Sequence, residues 1–498
     1  MVSLYITPHY FKQLSDNYSM VDISTLLKYV MNSRTHTWLL LISLSMLTLT
    51  SPHANADDID LVVSADYVVT MDDKNTVITN GAVAIDNGII IAVDEQASID
   101  RKFSPAKRIA GENRVLMPGL VNGHTHAAMV LFRGIADDLA LMEWLTKYIF
   151  PAEIRFVDKE FVRAGTQLAC LEMIRGGTTT IVDMYFHPKE IARVMEECGL
   201  RAVIGAAVIE QESGYTKNFA DAMDKAESFI GQWKNRNKRI TPVFAPHAAY
   251  TITPDNLKII RKRADELSVG VAIHLSESKA ELKLVGDMYG ETSINHLEKI
   301  GFFRGPTIAA HVVWPTKAEI SILTARGVGA IHNPTSNMKI ASGFAPVPEM
   351  LDAGVAVGLG TDGAASNNDL DMWDEIRLAA YIHKGRLLDP ETMPAIRVLE
   401  IATRVGAAAI GLNDTGSLAA GKHADLILVS LEAAHLVPMY DVVSHLVYAV
   451  DAQDVQTVIV GGKVLMEDRK VLTLDEHEVI KTARATAARI DKEILAAQ

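Results

Sequence analysis

The sequence predicts an α/β protein: a TIM-type (β/α)8 barrel with a small β-sandwich domain assembled from both ends of the mature chain. Apolar strand-like runs alternate with helix-like segments eight times through the middle of the chain. Short β-branched runs separated by turn residues lie on either side of that region. This alternation indicates a parallel sheet covered by helices, and eight units over roughly 300 residues fit a closed barrel.

The composition is that of a globular protein. The chain has 498 residues, 49% of them apolar and 22% charged, which is enough for a large core and a second domain. The net charge of −13 and the lack of a dense Lys/Arg run argue against nucleic acid and anionic membranes as partners. The two cysteines, Cys170 and Cys198, fall in helix-like stretches and indicate neither a disulfide framework nor a thiolate metal site.

The first 56 residues have the organisation of an extension followed by a secretory signal peptide. A positive region ending at Arg34 precedes the apolar run Trp38–Leu49, and Ala54-Asn55-Ala56 provides a small-residue cleavage site. The apolar run is too short to span a bilayer, so we expect no stable membrane insertion after cleavage. The predicted signal peptide extends from about Met31 to Ala56, and the mature protein is then exported to the periplasm. If this segment is instead a buried N-terminal helix, the protein is cytoplasmic.

Both ends of the mature chain supply strands of the predicted sandwich. The first part, residues 57–117, contains an Asn87-Gly88 pair between two runs, which is a strong hairpin signal. The second part, residues 417–498, adds three runs and a helical segment from about Glu476 to Ala497. The runs are Leu61–Val63, Tyr67–Val69, Ala82–Ile85, Ile89–Ile91, Val115–Met117, Ala424–Val429, Val458–Val460 and Val464–Met466.

Residues 118–416 form the predicted barrel. The runs are Leu120–His126, Thr178–Phe186, Arg201–Val208, Ile240–Tyr250, Val269–Glu277, Thr307–Trp314, Gly329–Asn337 and Val355–Asp362. Chemistry in such barrels lies at the C-terminal ends of the strands. Nearly every run carries polar residues there: His124 and His126, Asp183, His247, His274 and Glu277, His311, His332 and Asn333, and Asp362.

Four of these residues make a plausible metal site. His124 and His126 are two residues apart, so on a strand both rings project to the same side. His274 and Asp362 end other runs and would meet them at one face of the barrel. Imidazole and carboxylate donors suit zinc, and ferrous iron or manganese would also fit. A bound zinc can lower the pKa of its water to about 7.

Further residues add the chemistry of proton transfer. Glu277, three residues after His274, is free to receive and deliver protons. His311 can stabilise charge beside the metal, and Asp362 can act both as ligand and as proton acceptor. The fourth run reads Val243-Phe244-Ala245-Pro246-His247-Ala248, without the lysine that often bridges two metals in barrel hydrolases, so a single metal is favoured.

Each of these residues also has a structural interpretation. Glu277 can be a salt-bridge partner, and His247 and His311 can be hydrogen-bonded core histidines. For His332 a place behind the site or in strand packing is favoured, and His187 is favoured as a loop residue.

Four motifs resemble those of the amidohydrolase superfamily. They are Pro118–His126, His274-Leu275-Ser276-Glu277, His332–Lys339 and Gly360–Asn368. The resemblance runs from about Asp57 to Leu472 and is greatest to the 5′-methylthioadenosine/S-adenosylhomocysteine deaminases and their chlorohydrolase-like relatives. It is specific for the superfamily and less specific for the substrate.

The resemblance implies an aminohydrolase, a hydrolase of C–N bonds in cyclic amidines, with one divalent metal ion that is zinc or, alternatively, Fe²⁺. It makes His124, His126, His274 and Asp362 the metal ligands, Glu277 the proton shuttle, His311 the hydroxide-polarising residue, and Trp144, Glu153 and His247 substrate-binding residues. Trp144 lies against the base in this scheme, and Glu153 holds the ribose diol. A carboxylate suits that role because it accepts hydrogen bonds from both hydroxyls.

The segment after the third run departs from the family pattern. Some members carry arginines there, near the sugar or its 5′ substituent, whereas Gly205–Tyr215 is acidic and has no arginine in this chain. We expect a small-molecule substrate, first of all an adenine nucleoside of the adenosine, 5′-methylthioadenosine or S-adenosylhomocysteine type, from which ammonia is released. The alternatives are another amino- or chloro-substituted N-heterocycle (a pterin, guanine derivative or triazine) and a catalytically silent periplasmic metal-binding protein, which an intact Glu277 argues against. A homo-oligomer is left open.

The order of segments before Asp57 leads to a first prediction. N-terminal sequencing of the protein from native cells should give a mature start near Asp57, and the activity should be found in the exported fraction. A start at or near Met1, with the activity in the cytoplasm, would contradict the signal-peptide interpretation.

Overall fold

The computed structural model describes residues 56–495. The predicted extension and signal peptide therefore lie outside the described residues, except for Ala56. Across residues 56–495 no helix is both long enough and apolar enough to cross a membrane. These residues form two eight-stranded sheets and the helices packed around them.

The strands are numbered in chain order. They are β1 Asp57–Val69, β2 Val77–Asp86, β3 Ile89–Glu95, β4 Phe103–Pro118, β5 Leu120–Thr125, β6 Thr178–Tyr185, β7 Arg201–Val208, β8 Ile240–Pro246, β9 Val271–Leu275, β10 Thr307–His311, β11 Gly329–His332, β12 Val357–Leu359, β13 Leu426–Ser430, β14 Val455–Val460, β15 Lys463–Glu467 and β16 Lys470–Val471.

The α-helices follow the same scheme. They are α1 Gln96–Lys102, α2 Leu141–Trp144, α3 Phe150–Phe156, α4 Lys159–Gly176, α5 Pro188–Cys198, α6 Phe219–Trp233, α7 Pro254–Leu267, α8 Lys279–Tyr289, α9 Ser293–Lys299, α10 Lys317–Arg326, α11 Pro334–Lys339, α12 Val347–Asp352, α13 Met372–Leu387, α14 Ala395–Ala402, α15 Arg404–Ala409, α16 Val442–Tyr448 and α17 Glu476–Leu495. A π-helical turn, Leu145–Ile149, joins α2 to α3.

Strands β5 to β12 form a parallel sheet in chain order, with helices between successive strands, which confirms the predicted barrel. The observed strands end sooner than several of the apolar runs. The reason is that the chain leaves extended geometry where the polar residues begin: Ser276, His311 and Asp362 have φ angles of 53°, 74° and 62°. These left-handed conformations turn the chain sharply at the strand ends.

The barrel closes between β5 and the end of β12. The backbone N–H of Asp362 donates to the carbonyl of His124 at 2.9 Å. Beside it, the amide of Asn122 donates to Thr361 Oγ1 at 2.8 Å and accepts from the Thr361 N–H at 3.1 Å. Gly360 allows this close approach, because a Cβ there would lie 2.7 Å from the backbone nitrogen of His124.

The second sheet combines the two ends of the described chain, as predicted. Its strand order is β16-β15-β14-β13-β4-β1-β2-β3, with β1 and β4 parallel and the other neighbours antiparallel. The sheet folds over so that the Asn87-Gly88 turn meets the turn at Gly461. Both Asn87 and Gly88 have positive φ, as this type of two-residue hairpin turn requires. Buried side chains of both ends, among them Leu61 and Ile459, share one apolar core.

A buried ion pair joins this sheet to the barrel. Arg201, the first residue of β7, donates to both oxygens of Asp425 at 2.6 and 3.0 Å. Asp425 precedes β13 and also accepts from Thr415 Oγ1 and from the Gly461 N–H. Separating the two sheets at this point would leave an uncompensated buried charge, so the ion pair favours their observed packing.

Candidate active site

The four predicted metal ligands meet at the C-terminal face of the barrel. His124 lies on β5 with His126 just after it, His274 lies on β9, and Asp362 follows β12. Asp362 Oδ1 lies 3.2 Å from His124 Nε2 and 3.3 Å from His126 Nε2. His274 Nε2 is 3.3 Å from His126 Nε2. Three ring nitrogens and one carboxylate oxygen therefore point at a common centre.

Hydrogen bonds on the far side of two of these rings fix their orientation. His126 Nδ1 lies 2.6 Å from the carbonyl of Met184, and His274 Nδ1 lies 2.8 Å from the carbonyl of His247. Each Nδ1 thus carries the proton, which leaves the Nε2 lone pair for a metal. Asp362 is held in the same way, because its Oδ2 accepts from Ser336 and Ser366.

The protonation states of these groups suit a metal centre. Burial lowers the pKa of His124 to about 4, and it also holds the pKa of His274 well below the ordinary value, so both rings are neutral at pH 7. Burial opposes ionisation of Asp362, but contact with His124 and the neighbouring rings keeps its pKa well below 3.8. His124 Nε2 is buried and makes no hydrogen bond in the described part of the chain. An orphaned imidazole nitrogen beside a carboxylate fits a divalent metal of the zinc type.

Glu277 and His311 lie next to this cluster. Glu277 Oε1 is 3.9 Å from His311 Nε2, and His311 Nδ1 contacts Asn337 Oδ1 at 2.9 Å. Burial raises the pKa of Glu277 to about 7. Burial disfavours the charged form of His311, but Glu277 and Asp362 raise its pKa above the ordinary value. Glu277 can therefore bind and release a proton near neutral pH, as a general acid and base must.

Two buried carboxylates that support the site had no assigned role from the sequence. Glu281 accepts from the backbone N–H groups of Ser276 and Glu277 at 2.9 and 2.7 Å, which fixes the turn that carries Glu277. Its sequence signal is its place three residues after Ser278, at the start of α8. Asp183 accepts from the N–H of Ala127 at 2.6 Å and so holds the chain just after His126.

A cavity of about 330 Å³ opens onto the cluster. Every predicted site residue except His124 lines it: His126, Trp144, Glu153, His247, His274, Glu277, His311 and Asp362. Trp144 ends α2, and its indole N–H is buried without a hydrogen-bond partner among the described residues. Glu153 lies on α3 and is only 7% exposed, and burial raises its pKa to about 7.

One further lining residue was not singled out from the sequence. Tyr185, at the end of β6, lies beside Glu153, and its hydroxyl opposes the rise in the pKa of that carboxyl. An aromatic residue at the end of an apolar run is usually part of the hydrophobic core. The position of Tyr185 in the cavity wall is therefore evident only from the fold. His247 also lines the cavity, with its ring centre 5.0 Å from that of His274.

Two other histidines lie outside the cavity, in agreement with the structural interpretation. His332 is buried beside His383, with 5.4 Å between the ring centres. His187 adopts a left-handed conformation at the start of α5 and packs against Tyr215.

The barrel, the histidine and carboxylate cluster and the buried Glu277 beside it are together typical of a metal-dependent hydrolase. The model of the amidohydrolase family matches residues 115–465, so the chain belongs to that family. It is 44% identical over 432 residues to a 5-methylthioadenosine/S-adenosylhomocysteine deaminase of Pelotomaculum thermopropionicum, covering 86% of this chain and 99% of the relative. It is 45% identical over 435 residues to a 5′-deoxyadenosine deaminase of Methanosarcina barkeri, covering 86% and 98%.

Solved structures with the same fold include an adenosine deaminase and a chlorohydrolase. The crystal structure of an adenosine deaminase from Xanthomonas campestris with bound zinc superposes with a TM-score of 0.86 at 38% identity, covering 88% of this chain and all of that one. An atrazine chlorohydrolase from Arthrobacter aurescens, at 24% identity and a TM-score of 0.80, shares the fold. The predicted resemblance to the amidohydrolases and the predicted fold are confirmed.

The cluster leads to a prediction about the metal. His274→Ala should lose the metal because it removes one of four ligands. Glu277→Gln should keep the metal and lose roughly 10²- to 10⁴-fold in rate because the amide cannot accept a proton. Elemental analysis of dialysed protein measures the first effect, and ammonia release measures the second.

His477→Ala, at an exposed position on α17, is the matched control and should retain metal and activity. We expect one equivalent of metal per chain in the unaltered protein. Two equivalents, with the second required for activity, would contradict the single-metal prediction.

Proposed function

We propose that this protein is a hydrolytic deaminase that releases ammonia from adenine nucleosides of the adenosine, 5′-deoxyadenosine or 5′-methylthioadenosine type, with one divalent metal ion, zinc by preference, per chain. One observation carries the proposal: a single cavity is lined both by the metal-ligand cluster with Glu277 and by Trp144 and Glu153. The relatives named as adenosine-type deaminases support the same activity.

The reaction needs a water molecule, a proton carrier and a held substrate. His124, His126, His274 and Asp362 would hold the metal, which when bound supplies Lewis-acid activation of water. Glu277, with a pKa of about 7, takes the proton from the attacking water and delivers it to N1 of the purine. Protonation of N1 makes C6 electrophilic. The second proton of the attacking water then passes from the C6 oxygen to the amino group, which leaves as ammonia while the C6 oxygen becomes a carbonyl.

His311 assists from the other side of the cluster. Its Nε2 faces Glu277, and Asn337 fixes its ring through Nδ1. A ring held in this way can donate to the attacking oxygen and keep it in line with C6. Because the fold positions both Glu277 and His311 before the substrate binds, little reorganisation is needed during the reaction.

Three residues of the cavity wall would hold the substrate. Glu153 accepts hydrogen bonds from the ribose diol, and these two hydroxyls provide donors to a carboxylate that is otherwise buried. Trp144 packs against the purine ring, and its free indole N–H is available to a polar group of the ligand. His247 is neutral, since burial lowers its pKa to about 4, and can hydrogen-bond a ring nitrogen.

Export belongs to the same proposal. The order of a positive region, the apolar run Trp38–Leu49 and the small residues before Asp57 supports a signal peptide and a periplasmic enzyme. A periplasmic deaminase would act on nucleosides released outside the cytoplasm.

A substrate panel tests the reaction. Purified protein should release ammonia from adenosine and 5′-deoxyadenosine, followed at the purine absorbance. It should act far more slowly on free adenine, guanine, pterins and triazines, because these lack the diol that Glu153 holds. Faster turnover of a free heterocycle would favour the alternative substrate class, and no turnover of any compound would favour a metal-binding protein without catalysis.

The role of Glu153 gives a sharper prediction. Glu153→Ala should raise KM for adenosine by roughly 100-fold, since two hydrogen bonds to a charged group are lost. The same substitution should change KM for 2′,3′-dideoxyadenosine much less, because that substrate has no diol. Glu160→Ala, at an exposed position on α4, is the control. An equal effect on both substrates would show that Glu153 does not bind the sugar.

A further inference from the structure

The charged residues that line the cavity are all carboxylates. They are Glu153, Glu212, Glu277 and Asp362, and the described lining contains no lysine or arginine. Much of the remaining wall is apolar, with Met142, Phe150, Ile154 and Ile209 among its members. A ligand group that carries negative charge would therefore find no lysine or arginine among the described lining residues and would lie close to these carboxylates, which is costly.

Glu212 lies on a segment that adjoins the proposed sugar site. This segment, residues 209–213, follows β7, and all of its residues except Glu210 line the cavity. Gly214, which follows it, packs so closely on α3 that a Cβ there would lie 2.6 Å from the carbonyl oxygen of Glu153. Residues 209–213 therefore border the part of the cavity where Glu153 would hold the diol.

The neighbouring side chains fix this segment and leave Glu212 free. Glu210 accepts from the N–H and hydroxyl of Thr253 at 2.8 and 2.7 Å and from the amide of Asn256. Ser213 accepts from the N–H groups of the turn that follows it. Glu212 is exposed at the rim and makes no hydrogen bond or ion pair with any described residue. Its carboxylate is therefore available to a ligand.

We infer that the site selects adenine nucleosides whose 5′ end is uncharged (hydrogen, hydroxyl or a short thioether) and rejects those with an anionic 5′ group, and that Glu212 sets this selectivity. The inference rests on the proposed function. In a nucleoside, C4′ carries the 5′ group and is bonded to the diol carbon C3′, so a diol held by Glu153 directs the 5′ end toward the adjoining segment. Ile209 of this segment and Ile154, next to Glu153 on α3, offer apolar contacts to a methyl or thioether group, and Glu212 repels phosphate or carboxylate.

The test compares two nucleosides of nearly equal shape and different charge. Adenosine 5′-carboxamide is neutral, and adenosine 5′-carboxylate carries one negative charge. The unaltered protein should deaminate the carboxamide with the higher kcat/KM, by roughly 10-fold or more, as expected for repulsion between charges near the surface. Glu212→Arg should lower this ratio by roughly 10- to 100-fold, and Glu212→Gln should give an intermediate ratio.

Glu112→Arg controls for the change in net charge, because Glu112 is exposed on β4 of the other sheet, and it should leave the ratio unchanged. The inference is wrong if the unaltered protein has nearly equal kcat/KM for the carboxamide and the carboxylate, or if Glu212→Arg does not change their ratio. Either result would leave the proposed function intact. If neither adenosine nor 5′-deoxyadenosine is deaminated, the proposed function fails and the inference falls with it.

A second inference rests on a different observation, at the two cysteines. The sequence indicated no pairing, yet the fold brings Cys170 near the end of α4 beside Cys198 at the end of α5, with their Sγ atoms 2.9 Å apart. Both thiols are fully buried, and Met195 packs against them. Burial raises the pKa of the Cys170 thiol well above its ordinary value, so little thiolate forms in the folded protein.

We propose that Cys170 and Cys198 form a disulfide that links α4 to α5, made while the chain folds by exchange with a small-molecule or protein disulfide. The thiolate of one cysteine attacks the external disulfide and releases one thiol, and the second cysteine then displaces the other thiol. Two cysteine thiols are oxidised, one external disulfide is reduced, and the two cysteine protons leave on the released thiols. Once the helices pack, burial protects the bond from reductants.

Refolding with a defined oxidant tests this proposal. Denatured, reduced protein is refolded with glutathione disulfide and glutathione, alkylated under denaturing conditions and digested with trypsin. Cleavage after Arg163, Arg175, Arg193 and Arg201 yields peptides 164–175 and 194–201, each with one cysteine. We expect these two peptides to be joined, with a mass two hydrogens lower than the sum of the separate peptides. We also expect the midpoint of thermal unfolding to be higher than that of the reduced protein by about 4 °C.

Cys170→Ala is the matched control, since it cannot form the link and should leave Cys198 open to alkylation. The proposal is wrong if correctly refolded, active protein yields both peptides in alkylated form. It is also wrong if the disulfide-linked protein unfolds at a lower temperature than the reduced protein.

Discussion

The hydrogen bond from the Asp362 N–H to the carbonyl of His124 is the contact on which the site depends. It joins the first barrel strand to the end of the last, so residues more than two hundred positions apart in the chain become neighbours. The same two residues supply side chains to the metal-ligand cluster, with Asp362 Oδ1 3.2 Å from His124 Nε2. In an open sheet these ligands would lie at opposite edges. Barrel closure and metal binding are therefore one structural requirement.

Burial then separates the acidic residues of the cavity into two kinds. Asp362 is surrounded by imidazoles and two serine hydroxyls, and these contacts keep it ionised in spite of its burial. Glu277 and Glu153 lack comparable donors, so burial raises the pKa of each to about 7. The proposed metal ligand Asp362 has to stay charged, whereas the proposed proton carrier Glu277 has to change charge near neutral pH. Identical functional groups acquire these different properties from their surroundings alone.

Chemistry and specificity are carried by different parts of the fold. The proposed metal ligands, together with Glu277 and His311, lie at or just after the ends of barrel strands. Trp144 and Glu153 come from the helical segment after β5, and Glu212 comes from the segment after β7. Such segments can change in length and charge without disturbing the strands. This division is consistent with one fold that is shared by an adenosine deaminase and a chlorohydrolase.

The sequence by itself determined the barrel, the two-ended second sheet and the candidate metal ligands, because these follow from local patterns. Apolar alternation has a period, and the His124–His126 spacing directs both rings to one side of a strand. The tertiary structure decided what depends on distant neighbours. The place of Tyr185 beside Glu153, the lack of a partner for Glu212 among the described residues and the contact between Cys170 and Cys198 leave no local signal in the sequence. Contacts between remote segments are set by packing of the whole chain, and no window of sequence contains them.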